Sequence, residues 1–231
     1  MQYLDFGSFR DAAPVLTLNI GGIANCHLVN SERSQMMGID TGPGNVMMDH
    51  AARRLLGKPR DEGGATAGHP FFALTPPRSA QRRDFGEEYA GAILHKYDFL
   101  EPELATFCAF TAKTIAGAIN DFIPERETIK ALVASGGGTR NRTLMDLLAA
   151  ELPATMRLTA SDESGLPSQF KEAIKFGVLA YARTNRLPNN VPACSGASGY
   201  ALMGQLSLPP RLAAEPPSRA NGAVSVGPRQ G

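Results

Sequence analysis

Val15-Leu16-Thr17-Leu18-Asn19-Ile20 runs directly into Gly21-Gly22, and this stretch decides the fold. Branched apolar residues in such a run predict a buried strand, and the paired glycines predict a tight turn after it. Cys26-His27-Leu28-Val29 and Met36-Met37-Gly38-Ile39 predict two further strands with short connections. Three short strands joined in this way favour an antiparallel meander.

Helices and short strands alternate along the rest of the chain, which predicts an α/β fold. Apolar residues at helical spacing from Phe170 to Tyr181 predict a helix with Phe170 and Tyr181 on its buried stripe. The other predicted elements are a helix at 46–56, a long loop at 58–88, a helix at 101–122, strands at 129–134 and 156–158, a helix from Asn141 and a last short helix at 195–203.

Composition limits the function. Of 231 residues, 43% are hydrophobic, which is enough for a core of ordinary size. Lys and Arg number 23 against 22 Asp and Glu, and this balance argues against a nucleic-acid or anionic-membrane surface. No apolar run approaches the roughly 20 residues of a membrane span, and the first residues lack the features of a signal peptide. The distant cysteines Cys26, Cys108 and Cys194 form no metal or disulfide spacing, which predicts buried thiols in a reducing cytoplasm.

Glycine-rich turns follow predicted strands in 36–56 and in 129–150, and each leads into a predicted helix. Such a turn lets backbone amides approach an anion, and the helix N-terminus adds a favourable dipole. Asp40 precedes the first of these turns, where its carboxylate either faces a metal–phosphate complex or caps the turn. Asn19 and Asn25 carry amides that suit a sugar or a phosphate, although asparagine is also typical of a plain hairpin turn.

Six motifs occur in a fixed order: Asn19-Ile-Gly-Gly-Ile-Ala-Asn25, Asp40-Thr-Gly-Pro-Gly-Asn45, Pro76-Pro77-Arg78-Ser79, Ser135-Gly-Gly-Gly-Thr-Arg-Asn141, Lys171-Glu172-Ala173 and Ser195-Gly196-Ala197. This series resembles the anhydro-N-acetylmuramic acid kinase family, from about Val15 to about Leu208.

The resemblance implies a sugar kinase of the Hsp70 and actin superfamily, in which two lobes enclose a nucleotide cleft. Such an enzyme opens 1,6-anhydro-N-acetylmuramic acid with water and phosphorylates it from ATP with Mg²⁺. The product is N-acetylmuramic acid 6-phosphate, in the cytoplasmic recycling of cell wall. Residues 15–208 are then expected to form a C-terminal actin-like (ribonuclease H-like) lobe with a mixed sheet and flanking helices. Residues 1–14 are an N-terminal remnant, and the composition of 209–231 predicts a disordered tail.

The resemblance also implies three groups of site residues. The phosphate or metal side would be Asp40, Thr41, Gly42, Gly44 and Asn45; the adenosine side Ser135, Gly136, Gly137, Gly138 and Asn141; and the sugar or cleft side Asn19, Gly21, Gly22 and Asn25. Glu172 is either a cleft residue or an exposed helical glutamate paired with Lys171 or Lys175.

The sequence departs from the family pattern in its upstream part. Neither the family's first phosphate loop nor its catalytic-base segment is found, and Asp5-Phe6-Gly7, which shares letters with the latter, is interpreted as a coincidence. The chain is therefore expected to be truncated and inactive alone. Its expected ligands are ATP and an amino sugar, and its expected partner is a second copy or a separate N-terminal lobe. The alternative is a non-catalytic nucleotide- or sugar-binding module.

Overall fold

The computed structural model describes residues 2–56, 71, 74–86, 88–92 and 104–207. Its strands are β1 Val15–Ile20, β2 Ile23–Val29, β3 Met37–Pro43, β4 Ala131–Ser135 and β5 Arg157–Ala160. Its helices are α1 Gln2–Phe9, α2 Asn45–Leu56, α3 Leu104–Phe122, α4 Arg142–Glu151, α5 Lys171–Thr184 and α6 Pro192–Ser195.

One five-stranded sheet, in the order β3-β2-β1-β4-β5, organises the described residues. β1 is antiparallel to β2, with Val15 opposite Val29 and Ile20 opposite Ala24, and β2 is antiparallel to β3. β4 lies parallel to β1, and β5 lies parallel to β4. The predicted meander is confirmed. The predicted mixed sheet with flanking helices is also present.

The two faces of the sheet differ in polarity. Leu16, Leu18 and Ile20 of β1 belong to the main core, which α2, α3 and α4 complete on that face. The alternate residues of the same strand point to the opposite face, because side chains alternate along a strand. There Leu4 and Phe9 of α1 pack with Val15 in a second apolar cluster. Thr17 is buried beside that cluster, and its hydroxyl donates to the Asp5 carboxylate of α1, so this face combines apolar packing with a buried polar pair.

Helix α4 begins where the sequence predicted. Asn141 has extended backbone angles, and its side-chain oxygen accepts a hydrogen bond from the Leu144 amide at 3.1 Å. This is an N-cap, which satisfies an amide that the helix itself leaves unpaired.

Strand β3 is longer than predicted. Asp40 was expected to end a strand and to open a turn over 40–45, but the strand continues to Pro43. Two features allow this. β3 is an edge strand, where proline's missing donor costs no ladder hydrogen bond, and the β2–β3 register shifts at Ala24/Asn25 to accommodate the extra length.

The last short helix was also misplaced. It spans Pro192–Ser195 rather than 195–203. Pro192 suits the first turn of a helix, and Gly196 ends the helix with a φ of 70°.

Helix α5 presents a different face from the predicted one. Phe170 and Tyr181 were expected inside, yet they are 63% and 66% exposed, whereas Lys171 is 2% exposed and Ala182 is 1% exposed. The Lys171 ammonium lies 2.8 Å from the Asp5 carboxylate, and this buried ion pair sets the rotation of the helix.

Two predicted segments, the loop at 58–88 and the tail at 209–231, are described only in part or not at all by the structure. Residues 74–86 of the predicted loop form turns and irregular backbone, whereas Glu88 begins a helical stretch to residue 92. The predicted tail at 209–231 lies outside the described residues. Among the helices that are described, none is long and apolar enough to cross a membrane.

Candidate functional site

Two glycine turns meet at the carboxyl ends of β1 and β4. These parallel strands are paired as far as Asn19 and Ser135, so the turns that follow them lie side by side. Between them is a cavity of about 290 Å³, termed here the glycine cavity. It is lined by Asn19, Gly21, Gly136, Gly137, Arg140, Ser168, Gln169, Lys171 and Glu172.

The second turn requires glycine at two of its three positions. Gly136 has a φ of 91°, and a Cβ there would lie 2.7 Å from the Ile20 carbonyl oxygen. A Cβ at Gly138 would overlap the Ile20 side chain. Gly137 is different, because a Cβ there would lie no closer than 3.7 Å to Asn45 Nδ2. A side chain at Gly137 would therefore occupy space beside the cavity without disturbing the fold.

Three glycine amides near the cavity make no hydrogen bond in the described turns and loops. Within the described part of the chain, those of Gly21, Gly22 and Gly136 donate to no backbone carbonyl outside the strand ladders. Arg140 adds positive charge to the cavity wall, whereas the Lys171 ammonium is paired with the buried Asp5 carboxylate at 2.8 Å. Backbone amides that converge in a concave turn, with cations nearby, favour an anion.

The turn before α2 is built differently. The amides of Gly44, Asn45 and Val46 donate to the carbonyl oxygens of Gly22, Gly21 and Gly22 at 2.9, 2.7 and 3.2 Å. These amides are thus engaged by the β1–β2 turn and do not face a ligand. The Asn45 side chain also donates, to the Ile20 carbonyl at 3.3 Å. Residues 44–46 therefore hold the β1–β2 turn in place through hydrogen bonds to its carbonyl oxygens.

Thr41 and Gly42 have similar supporting positions. Thr41 is fully buried and its hydroxyl donates to the Ala24 carbonyl at 3.2 Å, while Gly42, with a φ of 133°, pairs with Ala24 in the ladder.

Asp40 lies apart from the glycine cavity, in a second cavity of about 340 Å³, termed here the His27 cavity. Its lining residues are Gln2, His27, Gly38, Ile39, Asp40, Pro77, Arg78, Ser79, Cys194 and Ser195.

The remaining predicted site residues have mixed surroundings. Asn141 caps α4, and its Nδ2 lies 3.2 Å from Cys108 Sγ. Asn25 sits between Asn19 and Asp40 in the ladder, and its buried Oδ1 has no partner within the described residues. Glu172 lines the glycine cavity, yet its carboxylate accepts from Lys175 Nζ at 2.7 Å on the exposed side of α5.

A buried polar cluster connects the two cavities, and sequence reasoning missed it. Asp5, at 1% exposure, accepts hydrogen bonds from Thr17 Oγ1 at 3.0 Å and from His27 Nδ1 at 2.9 Å. Its other oxygen lies 2.8 Å from Lys171 Nζ, which in turn donates to Ser135 Oγ at 3.2 Å. The available signal was the polar alternation of Thr17 and Asn19 in a strand otherwise rich in branched apolar residues.

The cluster fixes the ionisation of Asp5. Burial alone would raise its pKa, but the hydrogen bond from His27 and the charge of Lys171 outweigh burial and hold the pKa of Asp5 well below its ordinary value. Asp5 is therefore a buried carboxylate that remains charged. Asp40 shows the opposite balance, since burial raises its pKa despite hydrogen bonds from Ala80 and Ser79.

These features define a class of protein: an α/β protein with a mixed five-stranded sheet and a glycine-lined cavity where its central parallel strands end. The family model described as anhydro-N-acetylmuramic acid kinase matches residues 8–209, and the chain belongs to that family.

Curated relatives agree with the family match. The chain is 33% identical over 229 residues to an anhydro-N-acetylmuramic acid kinase of Bacillus cereus (strain AH187), covering 90% of this chain and 60% of the relative. It is 32% identical over 230 residues to one of Bacillus thuringiensis subsp. konkukian (strain 97-27), covering 91% and 60%. The chain thus spans about 60% of the length of these relatives.

Two solved structures are more distant. Component A of (R)-2-hydroxyglutaryl-CoA dehydratase from Acidaminococcus fermentans has a TM-score of 0.44 and 18% identity, with 75% of this chain and 63% of that chain covered. The activator of 2-hydroxyisocaproyl-CoA dehydratase from Clostridium difficile, with bound ADPNP, has a TM-score of 0.46 and 13% identity, with 80% and 66% covered. At these TM-scores the likeness carries no functional inference.

Proposed function

We propose that the chain is the nucleotide-binding part of an ATP-dependent kinase that converts 1,6-anhydro-N-acetylmuramic acid to N-acetylmuramic acid 6-phosphate. The observation that carries the proposal is the meeting of Gly21 and Gly136 at one cavity with Arg140 and Lys171. The family match supplies the reaction and the sugar. The cytoplasm, where cell-wall sugars are recycled, is the proposed location.

The phosphates of ATP would lie against the glycine turns at Gly21, Gly22 and Gly136, whose amides donate to no carbonyl in the described turns and loops. This revises the assignment of the phosphate side to the 40–45 segment, because the amides of Gly44 and Asn45 already bond to the β1–β2 turn. In the revised proposal that segment holds the turns in place.

The adenosine side would be the backbone of Gly136–Gly138, with Ser135 and Asn141 holding it. The Ser135 hydroxyl donates to the Leu18 carbonyl at 3.0 Å, which ties the end of β4 to β1. Asn19 and Asn25 remain the proposed sugar contacts, because Asn19 lines the glycine cavity and Asn25 is its partner across the β1–β2 ladder. Magnesium would be bound with the nucleotide, since the described residues contain no group of three or more His, Cys, Asp or Glu that could hold a metal.

Glu172 is poorly suited to activating water. The hydrogen bond and charge of Lys175 lower the pKa of this glutamate. A carboxylate with a lowered pKa is a weaker general base than one poised near neutral pH. With the family's base segment and first phosphate loop not found in the sequence, we propose that this chain binds ATP without turning it over.

A melting experiment tests the nucleotide site. Magnesium–ATP at about 100 times Kd should stabilise the wild type by about 2.7 kcal/mol. Gly137→Val should abolish the shift while leaving the ligand-free melting temperature close to that of the wild type, because the position has room for a side chain.

Gly177→Val is the matched control, since a Cβ at Gly177 meets nothing within 4 Å and Gly177 lies outside the cavity lining. This variant should keep the full shift. A shift that survives Gly137→Val would place the nucleotide elsewhere. Sugar 6-phosphate detected by mass spectrometry after incubation with ATP and the anhydro sugar would refute the proposed inactivity.

A further inference from the structure

The His27 cavity is a second concave site on the polar face of the sheet. It lies at the β2–β3 edge, and it shares no lining residue with the glycine cavity. Its volume of about 340 Å³ is within the range of small-molecule pockets, at the lower end. A monosaccharide-sized ligand fits that volume.

His27 has one nitrogen that the protein leaves without a partner. The side chain is 5% exposed, and its Nδ1 lies 2.9 Å from the Asp5 carboxylate. Because the pKa of Asp5 is held low, that carboxylate only accepts, so Nδ1 carries the hydrogen. Nε2 has no hydrogen-bond partner within the described residues, although the ring borders the cavity. This nitrogen is therefore a candidate contact for a ligand in the cavity.

Gly38 makes room for this imidazole. A Cβ at Gly38 would lie 3.0 Å from His27 Cδ2 and 2.9 Å from Cys194 Cβ. The absence of a side chain therefore lets the ring reach the cavity wall between β3 and α6. The position of His27 is thus fixed on one side by Asp5 and on the other by the close approach of Gly38.

The other groups of the cavity define its preference. Asp40 contributes a carboxylate, of which Oδ2 accepts from the Ala80 amide at 2.8 Å. The Arg78 guanidinium is engaged elsewhere: Nε donates to the Asp40 carbonyl at 3.0 Å and Nη1 donates to the Leu74 carbonyl at 3.1 Å. It also lies 4.7 and 4.6 Å from the ring centroids of Phe71 and Phe122.

The cavity is therefore rich in acceptors and poor in free cations. We propose that it binds a neutral, polyhydroxylated ligand of the sugar class, with one ligand hydroxyl hydrogen-bonded to His27 Nε2 and another donating to the Asp40 carboxylate. Ser79 and Ser195 add hydroxyls that can donate or accept. This site is additional to the nucleotide site and does not depend on it.

Imidazole ¹⁵N NMR of the full chain tests the proposal. N-acetylglucosamine, as a neutral probe, should shift the His27 Nε2 resonance saturably. Asp40→Asn should weaken the apparent Kd about tenfold, since hydrogen bonds to a charged group are stronger than neutral ones. His27→Phe should abolish binding, measured by calorimetry. Asp40→Asn keeps the test decisive if His27→Phe does not fold.

Two further arms separate this site and its ligand class from others. Gly137→Val should leave the N-acetylglucosamine titration unchanged, and inorganic phosphate should not shift Nε2. The proposal is overturned if wild type shows no saturable shift, if Asp40→Asn binds as tightly as wild type, or if Gly137→Val removes the shift. A saturable shift with phosphate would overturn the ligand class.

Discussion

Removing the Lys171 charge should leave the buried Asp5 carboxylate without its lysine partner, with only the hydrogen bonds from Thr17 and His27 remaining. The Lys171 and Asp5 side chains are both 2% exposed or less, and their charged atoms are 2.8 Å apart. Breaking a buried pair by deleting one partner costs about 3–5 kcal/mol. Lys171→Met should therefore lower the free energy of unfolding by about 3–5 kcal/mol. With about 2–4 °C per kcal/mol for a domain of this size, the melting temperature should fall by roughly 6–20 °C.

Urea unfolding of four variants would measure this: Lys171→Met, Asp5→Asn, the two combined, and Lys175→Met. Lys171→Met should show a large decrease in the free energy of unfolding. The decrease in the double variant, Asp5→Asn with Lys171→Met, should be smaller than the sum of the two single decreases, because the charges are removed as a pair. Lys175→Met is the matched control on the same helix. Its partner Glu172 has a side chain that is 75% exposed, so this variant should lose only about 0.2–0.5 kcal/mol.

The pH dependence gives an independent check. Because the pKa of Asp5 is lower in the folded protein than in the unfolded chain, the Asp5 contribution is complete above the unfolded value of about 3.9 and is lost as the pH falls below it. The difference between wild type and Asp5→Asn should shrink on acidification in that range. A Lys171→Met variant within about 1 kcal/mol of wild type at neutral pH would refute the reasoning.

Three other outcomes follow from the described geometry. Gly138→Ala should destabilise by about 1–3 kcal/mol, because its Cβ overlaps a β1 side chain, while Gly137→Ala should cost less than about 1 kcal/mol in the same urea titration. Burial raises the pKa of Asp40, so the stability of wild type relative to Asp40→Asn should fall as pH rises through that raised pKa; a flat difference would contradict this. Burial also raises the thiol pKa values of Cys26 and Cys194 to about 12, so both should react with a thiol reagent only after unfolding.

Local signals were sufficient for most of the fold. The Val15–Ile20 run, the glycine pair after it and the Asn141 cap each act over a few residues, and the structure has each of them where the sequence placed it. Predictions were wrong where a distant contact decides the outcome. Periodicity places Phe170 inside, but the pairing of Lys171 with Asp5, far away in sequence, rotates α5 so that Phe170 is exposed.

The site was predictable in composition but less so in arrangement. Glycine content alone indicates turns near Gly21, Gly44 and Gly136, whereas it does not tell which amides remain free. That depends on the β1–β2 turn, whose carbonyl oxygens accept from the Gly44 and Asn45 amides and so remove them from the cavity. The role of Asp5 was equally hidden, because a lone aspartate near an apolar strand has no local partner to identify it.

Helix α1 determines where this folding unit can be cut. Starting the chain at Val15 appears natural from the sequence, since the first strand of the sheet begins there. Such a shortened protein would lack Asp5 and would retain Lys171 as a buried ammonium next to Ser135, at the root of the second glycine turn. A buried ammonium without its partner is costly, so the shortened protein should be much less stable. A protein made for expression should therefore include α1 from Gln2 onward. Through Asp5, this helix supplies the negative charge that pairs with Lys171 in the wall of the glycine cavity.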